Sequence, residues 1–264
     1  NPHGGLAVIH ADGCLTSDLV VERLERTDET LAIHWKDAFY PFRATQFFRA
    51  RKDADVIETH VVLENGEASA VRLPRMASLT LAFPLVADRF SVQTTPGQWT
   101  CENQLAESEL ARGQTVSIGS RSGVRGAWGS NPSFMVSIGG TADETSGNVI
   151  GVALCWSGVW EASVRRSHTD FLEIDAGACN CAGPYVLGPG RRLELPTVAL
   201  TYSAAGKGRV SRNMHRWARR HRMPHGTQLR DVVLNSFYAT GFGFDETSLL
   251  KLMDGAKELG VETF

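Results

Sequence analysis

Short apolar runs of period two, separated by turn dipeptides, occupy roughly the first two hundred residues of the chain. Three runs adjoin such a turn, and we call each junction a boundary. The run Leu6 to His10 precedes Ala11-Asp12-Gly13, Asp55 to Leu63 precedes Glu64-Asn65-Gly66, and Val149 to Trp156 follows Ser146-Gly147-Asn148. Asp-Gly and Asn-Gly between apolar runs favour the tight turns of β-hairpins, so each boundary predicts a hairpin. Their recurrence predicts a large antiparallel β-sandwich.

A basic helix is predicted over residues 211–222, where the alternation stops. Met214, Trp217 and His221 fall on one helical stripe, and arginines at 212, 216, 219, 220 and 222 surround it. Basic helices are also typical of nucleic-acid binding, but these charges lie on several faces and no nucleic-acid motif accompanies them. We interpret the segment as a linker helix packed by its tryptophan. Met223-Pro224-His225-Gly226 ends it, which predicts domains over residues 1–226 and 227–264.

The C-terminal segment reads as one β–α unit and the beginning of the next. Val232-Val233-Leu234 is a continuous apolar run, as in a strand buried on both faces of a parallel sheet. Asp245 is a natural N-cap, and Gly260 supplies a left-handed stop. The apolar positions between them recur at helical spacing: Leu249, Leu250, Met253, Ala256 and Leu259. Such a unit is the repeating element of a βα barrel or of a doubly wound sheet.

Composition narrows the function classes. The 264 residues are 42% hydrophobic, which is ample for a core. A net charge of −2 gives no field that would gather nucleic acid or an anionic membrane. No apolar stretch approaches the roughly 18 residues of a bilayer span. The sequence contains no Gly-rich phosphate loop, metal-ligand cluster or Schiff-base lysine context, so we predict no cofactor and no metal.

The five cysteines are predicted to be reduced thiols, since a domain of this size needs no disulfides. Cys179-Asn180-Cys181 has the spacing of half a metal site, but no second pair at ligand spacing follows. Most tryptophans have apolar flanks and are predicted to belong to the core: Trp35, Trp99, Trp156, Trp160 and Trp217.

The run LNSFYATGFGFDETSLLKLMDGAKELGVETF resembles the opening of the catalytic barrel in glycoside hydrolase family 36, the α-galactosidase or melibiase family. The residues that match the usual family pattern as they stand are Asn235, Ala239, Thr240, Phe242, Phe244, Leu249, Leu250, Ala256, Lys257, Leu259, Gly260 and Phe264. In the family, a DDGW signature follows at the point where this sequence stops. The resemblance therefore predicts a truncated barrel.

Three upstream segments carry the resemblance through most of the chain. They are KDAFYPFRATQFFRARKDADVIETHVVLEN (Lys36 to Asn65), GQTVSIGSRSGVRGAWGSNPSFMV (Gly113 to Val136) and GRRLELPTVALTYSAAGKGRVSRNMHRWARRH (Gly190 to His221). Each motif alone is weak, but their order and spacing match the family's N-terminal domain. The resemblance implies a mainly β fold, in which a large antiparallel β-supersandwich is followed by the first β–α unit of a truncated (β/α)8 barrel.

The resemblance also implies a chemistry. Family 36 enzymes remove a terminal α-D-galactosyl residue from oligosaccharides or glycoconjugates with retention, using two carboxyl groups about 5 to 5.5 Å apart. Both family aspartates lie on later barrel strands than this chain reaches, so we expect no catalytic residue within it. Asp55 and Glu58 fall on sandwich strands and are not candidates. The full-length protein is expected to be a hydrolase, to form a homo-oligomer and to be cytoplasmic, although an exported form that has lost a leader is the alternative.

The barrel position within reach is the end of the first strand. Asn235-Ser236-Phe237-Tyr238 occupies the place of the family's N-N-W-E, whose tryptophan lines the galactose pocket. Asn235, Phe237 and Tyr238 are therefore the substrate-binding candidates, with core packing as the alternative for Phe237. Because an aromatic ring replaces the indole and a phenol replaces the acid, N-acetylgalactosamine is the alternative substrate.

Trp128 is a further candidate, as a platform for a sugar ring. It begins Trp128-Gly129-Ser130-Asn131-Pro132, where the family has a His-rich approach to Asn-Pro. Asn before Pro most often builds a turn, which is the alternative interpretation. A second function class also stays open, in which the chain is a non-catalytic carbohydrate-binding or assembly module that never had a complete barrel.

Overall fold

A computed structural model describes residues 5–84, 87–123, 129–169 and 171–264 of the chain. The strands of these residues are β1 Leu6–Ile9, β2 Leu19–Arg26, β3 Thr30–Asp37, β4 Phe42–Arg51, β5 Val56–Asn65, β6 Val71–Pro84, β7 Phe90–Gly97, β8 Ala106–Glu109, β9 Thr115–Ser120, β10 Gly129–Ile138, β11 Asn148–Cys155, β12 Trp160–Arg166, β13 Phe171–Ala178, β14 Tyr185–Leu187, β15 Arg192–Glu194 and β16 Thr197–Ser203. The α-helices are α1 Gly206–Trp217, α2 Phe237–Thr240 and α3 Glu246–Glu258.

The strands form two antiparallel sheets. The smaller sheet has the order β1-β6-β13-β12-β9, with β14 also pairing with β6. The larger sheet runs β2-β3-β4-β5-β16-β11-β10-β7-β8, with β15 also pairing with β5. The predicted antiparallel sandwich is confirmed, and it is built on a period-two pattern. In β12, for example, Trp160, Ala162 and Val164 are buried, while Glu161 between them is exposed.

Two buried apolar clusters hold the sheets together. The first cluster is Leu79, Phe90, Val92, Leu110, Ile118, Phe134, Val136, Val152, Leu154, Trp160, Ala162, Val164, Leu172, Ile174, Ala176 and Val198. The second cluster is Val8, Phe42, Ala44, Leu63, Val71, Leu73, Met76, Leu187 and Leu195. Strand β6 contributes to both, so one long strand ties the two halves of the sandwich core together.

Helix α1 packs on β11 and β16 of the larger sheet. Its buried side chains include Val210, Asn213 and Trp217, which confirms a helix packed by its tryptophan. Gly151 lets the helix approach the sheet, because a Cβ there would lie 2.4 Å from Val210 Cγ1. The helix begins at Gly206, earlier than the sequence predicts, and gives way to a π-helical turn over Ala218–Arg222.

Two of the three predicted hairpins are wrong. The turn after β1 does not join paired strands, because β1 pairs with β6 and β2 pairs with β3. The Asn65-Gly66 turn passes from β5 in the larger sheet to β6 in the smaller one. The third prediction is confirmed, since Ile138 of β10 pairs with Asn148 of β11. A turn dipeptide marks a reversal of the chain but does not choose the partner strand.

The chain divides into two compact units, of which the first ends at Trp217 and the second is Ala218–Phe264. The domain boundary predicted at residue 226 stays a prediction. In the second unit, the strand predicted over residues 232–234 is wrong in extent, because Val233 forms only an isolated parallel bridge with Thr263. Single bridges form where no further strand extends the ladder on either side.

The tryptophans predicted to belong to the core differ in their burial. Trp160 and Trp217 are buried as predicted, but Trp99 and Trp156 are exposed by 74% and 46%, so their assignment to the core is wrong. None of the five cysteines, all of which lie among the described residues, forms a disulfide. None of the helices in the described part of the chain combines the length and apolar character that a bilayer span needs.

Candidate functional site

The predicted site lies in the second unit, where two segments run side by side before α2 and after α3. Leu234 N donates to Thr263 O at 3.0 Å, and Thr263 N donates to Val232 O at 3.2 Å. The bridge between Val233 and Thr263 is parallel. A parallel pairing joined by a helix is the arrangement of a βαβ unit, so the direction of the predicted repeat is present even though its strands are short.

Three of the four predicted site residues come together at the start of α2. The Asn235 side-chain oxygen accepts the backbone N–H of Phe237 at 2.9 Å and so fixes the first turn. The Phe237 and Phe242 rings form a T-shaped pair with a centroid distance of 5.2 Å. Tyr238 is 94% exposed. The fourth candidate, Trp128, lies outside the described residues.

Phe237, Tyr238, Phe242 and Phe244 form an exposed aromatic group, and we use that name for these four residues. Phe242 is 89% exposed, and the glycine before it, Gly241, has a φ of +58°. Phe237 and Phe242 pack on each other. Sugar binding and core packing in a complete barrel both stay predictions for Phe237. Planar rings with free faces are able to stack on the C–H face of a sugar.

Helix α3 is fixed at both ends by local hydrogen bonds. Ser248 N donates a hydrogen bond to the Asp245 carboxylate at 2.7 Å, and Asp245 N donates one to the Ser248 hydroxyl at 3.0 Å. The two bonds form a capping box. Hydrogen bonds to the carboxylate, first from the Ser248 backbone N–H and then from the Ser248 side chain, lower the pKa of Asp245. At the other end, Gly260 has a φ of +77°. Val261 N donates to Ala256 O and Gly260 N to Lys257 O, as in a Schellman motif.

The two sandwich carboxylates are tied to neighbouring cations and donors. Asp55 accepts from Arg209 Nη2 at 2.8 Å. Glu58 accepts from Trp217 Nε1 at 2.8 Å and from Arg51 Nη2 at 2.9 Å. Both groups therefore hold α1 and the β4–β5 region in place. Among the described residues, no group of three or more His, Cys, Asp and Glu side chains is placed to hold a metal ion.

A buried polar network that the sequence did not indicate lies at the end of β1. His10 Nδ1 lies 2.7 Å from Glu67 Oε1, and His10 Nε2 lies 2.9 Å from Ser17 Oγ. The imidazole stacks on the Tyr40 ring at 3.7 Å. A hydroxyl, an imidazole and a carboxylate in a row resemble a nucleophilic relay. Here the His10 side chain is fully enclosed, so the network joins the turns rather than presenting a base to a substrate.

The residues of this network are visible in the sequence, but nothing in the sequence indicates that they lie close together. His10 directly follows an apolar run, and Tyr40-Pro41 precedes another. The pairing of β1 with β6 brings the 64–67 turn beside His10, and Gly66 N of that turn donates to Pro41 O beside Tyr40.

The model of the Glycosyl hydrolase family 36 N-terminal domain matches residues 2–187, well over half of the chain. The chain belongs to glycosyl hydrolase family 36. A second family model, Melibiase, matches residues 192–264. The resemblance seen in the sequence is therefore confirmed, and it covers both units of this family 36 chain.

Curated relatives of the family 36 chain include two bacterial enzymes. Alpha-galactosidase Mel36A of Lactobacillus acidophilus is 27% identical over 238 residues, which cover 89% of this chain and 32% of that protein. Alpha-galactosidase AgaA of Geobacillus stearothermophilus is 28% identical over 241 residues, with 90% and 32% covered. The chain thus spans about a third of the length of the curated relatives it matches.

Solved structures agree on the fold. The α-galactosidase of Lactobacillus brevis superposes with a TM-score of 0.89 at 23% identity, over 98% of this chain and 37% of that chain. A structure of Geobacillus stearothermophilus AgaA in complex with stachyose gives 0.89 at 23% identity, over 98% and 38%. These likenesses confirm a β-supersandwich followed by the start of a barrel.

Proposed function

We propose that this chain is the N-terminal part of a retaining α-galactosidase, which removes terminal α-D-galactosyl residues from oligosaccharides or glycoconjugates. The observation that carries the proposal is the order of the two family matches, with the N-terminal domain over residues 2–187 and Melibiase over residues 192–264. A solved relative of the same fold was crystallised with stachyose, a galactose-containing oligosaccharide. The proposal extends that substrate class to the full-length protein.

The part of the reaction proposed for this chain is sugar positioning. A retaining glycosidase needs a nucleophilic carboxylate and an acid about 5 to 5.5 Å apart. Asp55 and Glu58 already neutralise Arg209 and Arg51, and they lie on the sandwich. We assign the two reacting carboxyl groups to later barrel strands of the full-length protein. In this chain, Phe237 would then pack on the apolar face of the galactosyl ring, with Asn235 fixing the turn that carries it.

A second specificity, for α-N-acetylgalactosaminides, is favoured by one observation. Phe237 and Tyr238 replace the Trp-Glu of the family's N-N-W-E, and Tyr238 is 94% exposed. Replacing an acid with a phenol removes a charge and exchanges an acceptor-only group for one that also donates. An acetamido group presents an amide and a methyl where galactose has a hydroxyl. A neutral aromatic rim would accommodate that group better than a carboxylate would.

The decisive experiment compares this 264-residue chain with the product of the whole reading frame that contains it. Both are assayed on aryl α-galactoside and aryl α-N-acetylgalactosaminide. We expect turnover only by the full-length protein, without sensitivity to a chelator. Turnover by the short chain would contradict the assignment of the carboxyl groups to later strands. A reading frame with no further barrel strands would favour the carbohydrate-binding or assembly module instead.

Variants of the full-length protein sharpen the specificity. Tyr238→Glu restores the family's acid, and we expect it to raise the ratio of galactoside to acetamido-sugar turnover. Trp99→Phe is the matched control, because Trp99 is an exposed aromatic residue of the first unit, and it should leave the ratio unchanged. A ratio that Tyr238→Glu does not move would remove Tyr238 from the substrate site.

A further inference from the structure

The outer face of the smaller sheet carries a polar trough. Its residues are far in sequence from those of the aromatic group. Strands β6, β13, β12 and β9 lie side by side there, and their inward residues, such as Leu172, Ile174 and Val164, fill the first cluster. The residues between them point away from that core. A cavity of about 460 Å³ lies on this outward face. Its size falls within the range of about 300–1,000 Å³ that is typical of small-molecule sites.

Cross-strand pairing arranges the trough in rows. One row is Ala77, Gly177, Glu161 and Gly119, and the next is Thr80, Asp175, Ser163 and Ser117. The first row is the low floor, because three of its four members have no side chain beyond Cβ. The second row sets hydroxyl and carboxylate groups along that floor. Arg75 and Arg121 also line the cavity.

The floor is low because the strands approach each other closely. A Cβ added at Gly177 would lie 2.7 Å from Ala77 Cα, and one added at Gly119 would lie 2.6 Å from Trp160 O. Since both close atoms belong to backbone, neither position tolerates a larger residue without a shift of a strand. The trough is therefore built into the sheet rather than left by flexible side chains.

Asp175 is the central polar group of the trough. Its Oδ2 accepts from Arg75 Nη2 at 2.8 Å, and the residue is 9% exposed. Its Oδ1 is buried and has no hydrogen bond of good geometry among the described residues, although the Thr80 hydroxyl lies near enough to favour the charged carboxylate. Asp175 lines the cavity, and because the terminal torsion of an aspartate is broad, a modest rotation that Arg75 can follow would bring this acceptor to the trough. A buried acceptor without a donor is unfavourable, and a bound hydroxyl would relieve that state.

The charges that line the cavity balance. Arg75 and Arg121 oppose Asp175 and Glu161, so neither a phosphate nor a metal cation is favoured by net charge. Arginine only donates hydrogen bonds, carboxylates only accept them, and serine does both. A ligand that satisfies this mixture must itself donate and accept at several adjacent positions. Neighbouring hydroxyls on a saccharide ring do this without carrying charge.

We propose that this trough is a second saccharide-binding site, which takes one neutral sugar unit through Asp175, Glu161 and the serine row. It needs no part of the barrel, so it does not depend on the proposed catalytic function. The described lining residues include no aromatic ring. Affinity therefore rests on hydrogen bonds without aromatic stacking, and we expect a Kd on the order of 1 mM.

The test is a titration of the isotope-labelled 264-residue chain with raffinose, followed by amide NMR. We expect saturable shifts at residues 161–163 and 175–177, and no such shifts with inorganic phosphate. Asp175→Asn keeps the shape but loses the carboxylate, and it should weaken binding about tenfold. Glu161→Ala is the second variant, at an exposed position that does not burden folding, and should also weaken binding.

Glu173, two residues before Asp175 on β13, provides a matched control. Glu173 accepts from Arg165 Nε at 2.8 Å, so it forms a cross-strand acid–arginine pair on the same face, but it does not line the cavity. Glu173→Gln should leave raffinose binding unchanged. Equal weakening by Asp175→Asn and Glu173→Gln, phosphate shifts at the trough, or no shifts at the trough residues would each overturn the proposal. Shifts confined to residues 235–242 would do the same, while supporting the site at the start of the barrel.

Discussion

The two units of the chain differ in where their apolar side chains lie. In the first unit, two clusters enclose large side chains such as Trp160, Phe42 and Phe90 at 1% exposure or less. Among the described residues of the second unit, only Gly226 and Ala256 are buried. Val233, Leu250 and Leu259 of that unit are exposed by 64%, 54% and 84%. The first unit is stabilised by burial, whereas the second depends on local hydrogen bonds.

The comparison separates what builds an element from what stabilises it. Helix α3 has a capping box, a Schellman motif and an apolar stripe, so it forms from its own sequence. An isolated helix of this length is marginal in water, because most helical stability in proteins comes from packing of an apolar face. In the proposed full-length α-galactosidase, further barrel elements would cover the exposed stripe.

The largest expected effect comes from truncating a matched pair of phenylalanines, one in each unit. Phe42 is fully buried in the second cluster, and Phe242 is 89% exposed. Phe42→Ala should lower the free energy of unfolding of the first unit by about 3–5 kcal/mol. Phe242→Ala should change it by no more than about 0.5 kcal/mol. Denaturant unfolding followed by tryptophan fluorescence measures both, and equal losses would abolish the contrast between the units.

The next effect concerns a buried hydrogen bond. Trp217 Nε1 donates to Glu58 Oε1 at 2.8 Å, and both residues are buried. Trp217→Phe keeps an aromatic ring but removes the donor, so the free energy of unfolding should fall by about 1–3 kcal/mol. Tyr238→Phe is the control, because it removes a hydroxyl from a 94% exposed side chain of the second unit. An unchanged midpoint for Trp217→Phe would mean that the remaining partners of Glu58, Arg51 among them, satisfy the carboxylate.

A smaller effect tests the local origin of α3 with two glycines. Apart from the adjoining residues and the helix's own backbone, no heavy atom lies within 4 Å of a Cβ built at Gly255 or at Gly260, so packing against other side chains does not enter. Gly260 has a φ of +77°, and Gly260→Ala should destabilise the helix by about 1 kcal/mol. Gly255 lies within the helix, and Gly255→Ala should stabilise it by about 0.5–1 kcal/mol. Amide exchange in residues 246–258 reports both changes, and shifts of the same sign would contradict the Schellman assignment.

The sequence predicted local features well in both units. The N-cap Asp245, the stop at Gly260 and the packing role of Trp217 could be predicted because each depends on residues within a few positions or on one apolar stripe. The two wrong hairpins, after β1 and at Asn65-Gly66, depend on partners far away in the chain. Turn chemistry sets where the chain reverses, whereas the choice of partner strand is decided by the packing of two whole sheets.

The candidate sites also divide into those built from neighbouring residues and those built from residues far apart in the chain. Asn235, Phe237 and Tyr238 are consecutive or nearly so, and a sequence motif can indicate them. The His10–Glu67 pair and the trough around Asp175 join residues from separate strands, and no spacing along the chain marks them. The exposed Trp99 and Trp156 show a further limit, because each lies just beyond the end of a strand, β7 or β11, where apolar neighbours along the chain do not imply burial.

The finest test of the comparison is the titration of one aspartate in each unit. Burial raises the pKa of Asp175, although Thr80 and Arg75 partly counter it. Hydrogen bonds from Ser248 instead lower the pKa of Asp245. The two carboxyl groups should therefore titrate on opposite sides of the ordinary aspartate range, which ¹³C NMR of the side-chain carboxyls resolves.

The consequences for stability have opposite signs. As pH falls through the raised pKa of Asp175, the buried carboxylate gains a proton and its desolvation penalty disappears, so the first unit should gain stability relative to Asp175→Asn. As pH falls through the lowered pKa of Asp245, the cap loses its charge and α3 should lose helicity. Asp245→Asn keeps a capping side chain without a charge, so its helicity should not follow this titration. Aspartates that titrate together would show that burial and local capping do not distinguish the two units.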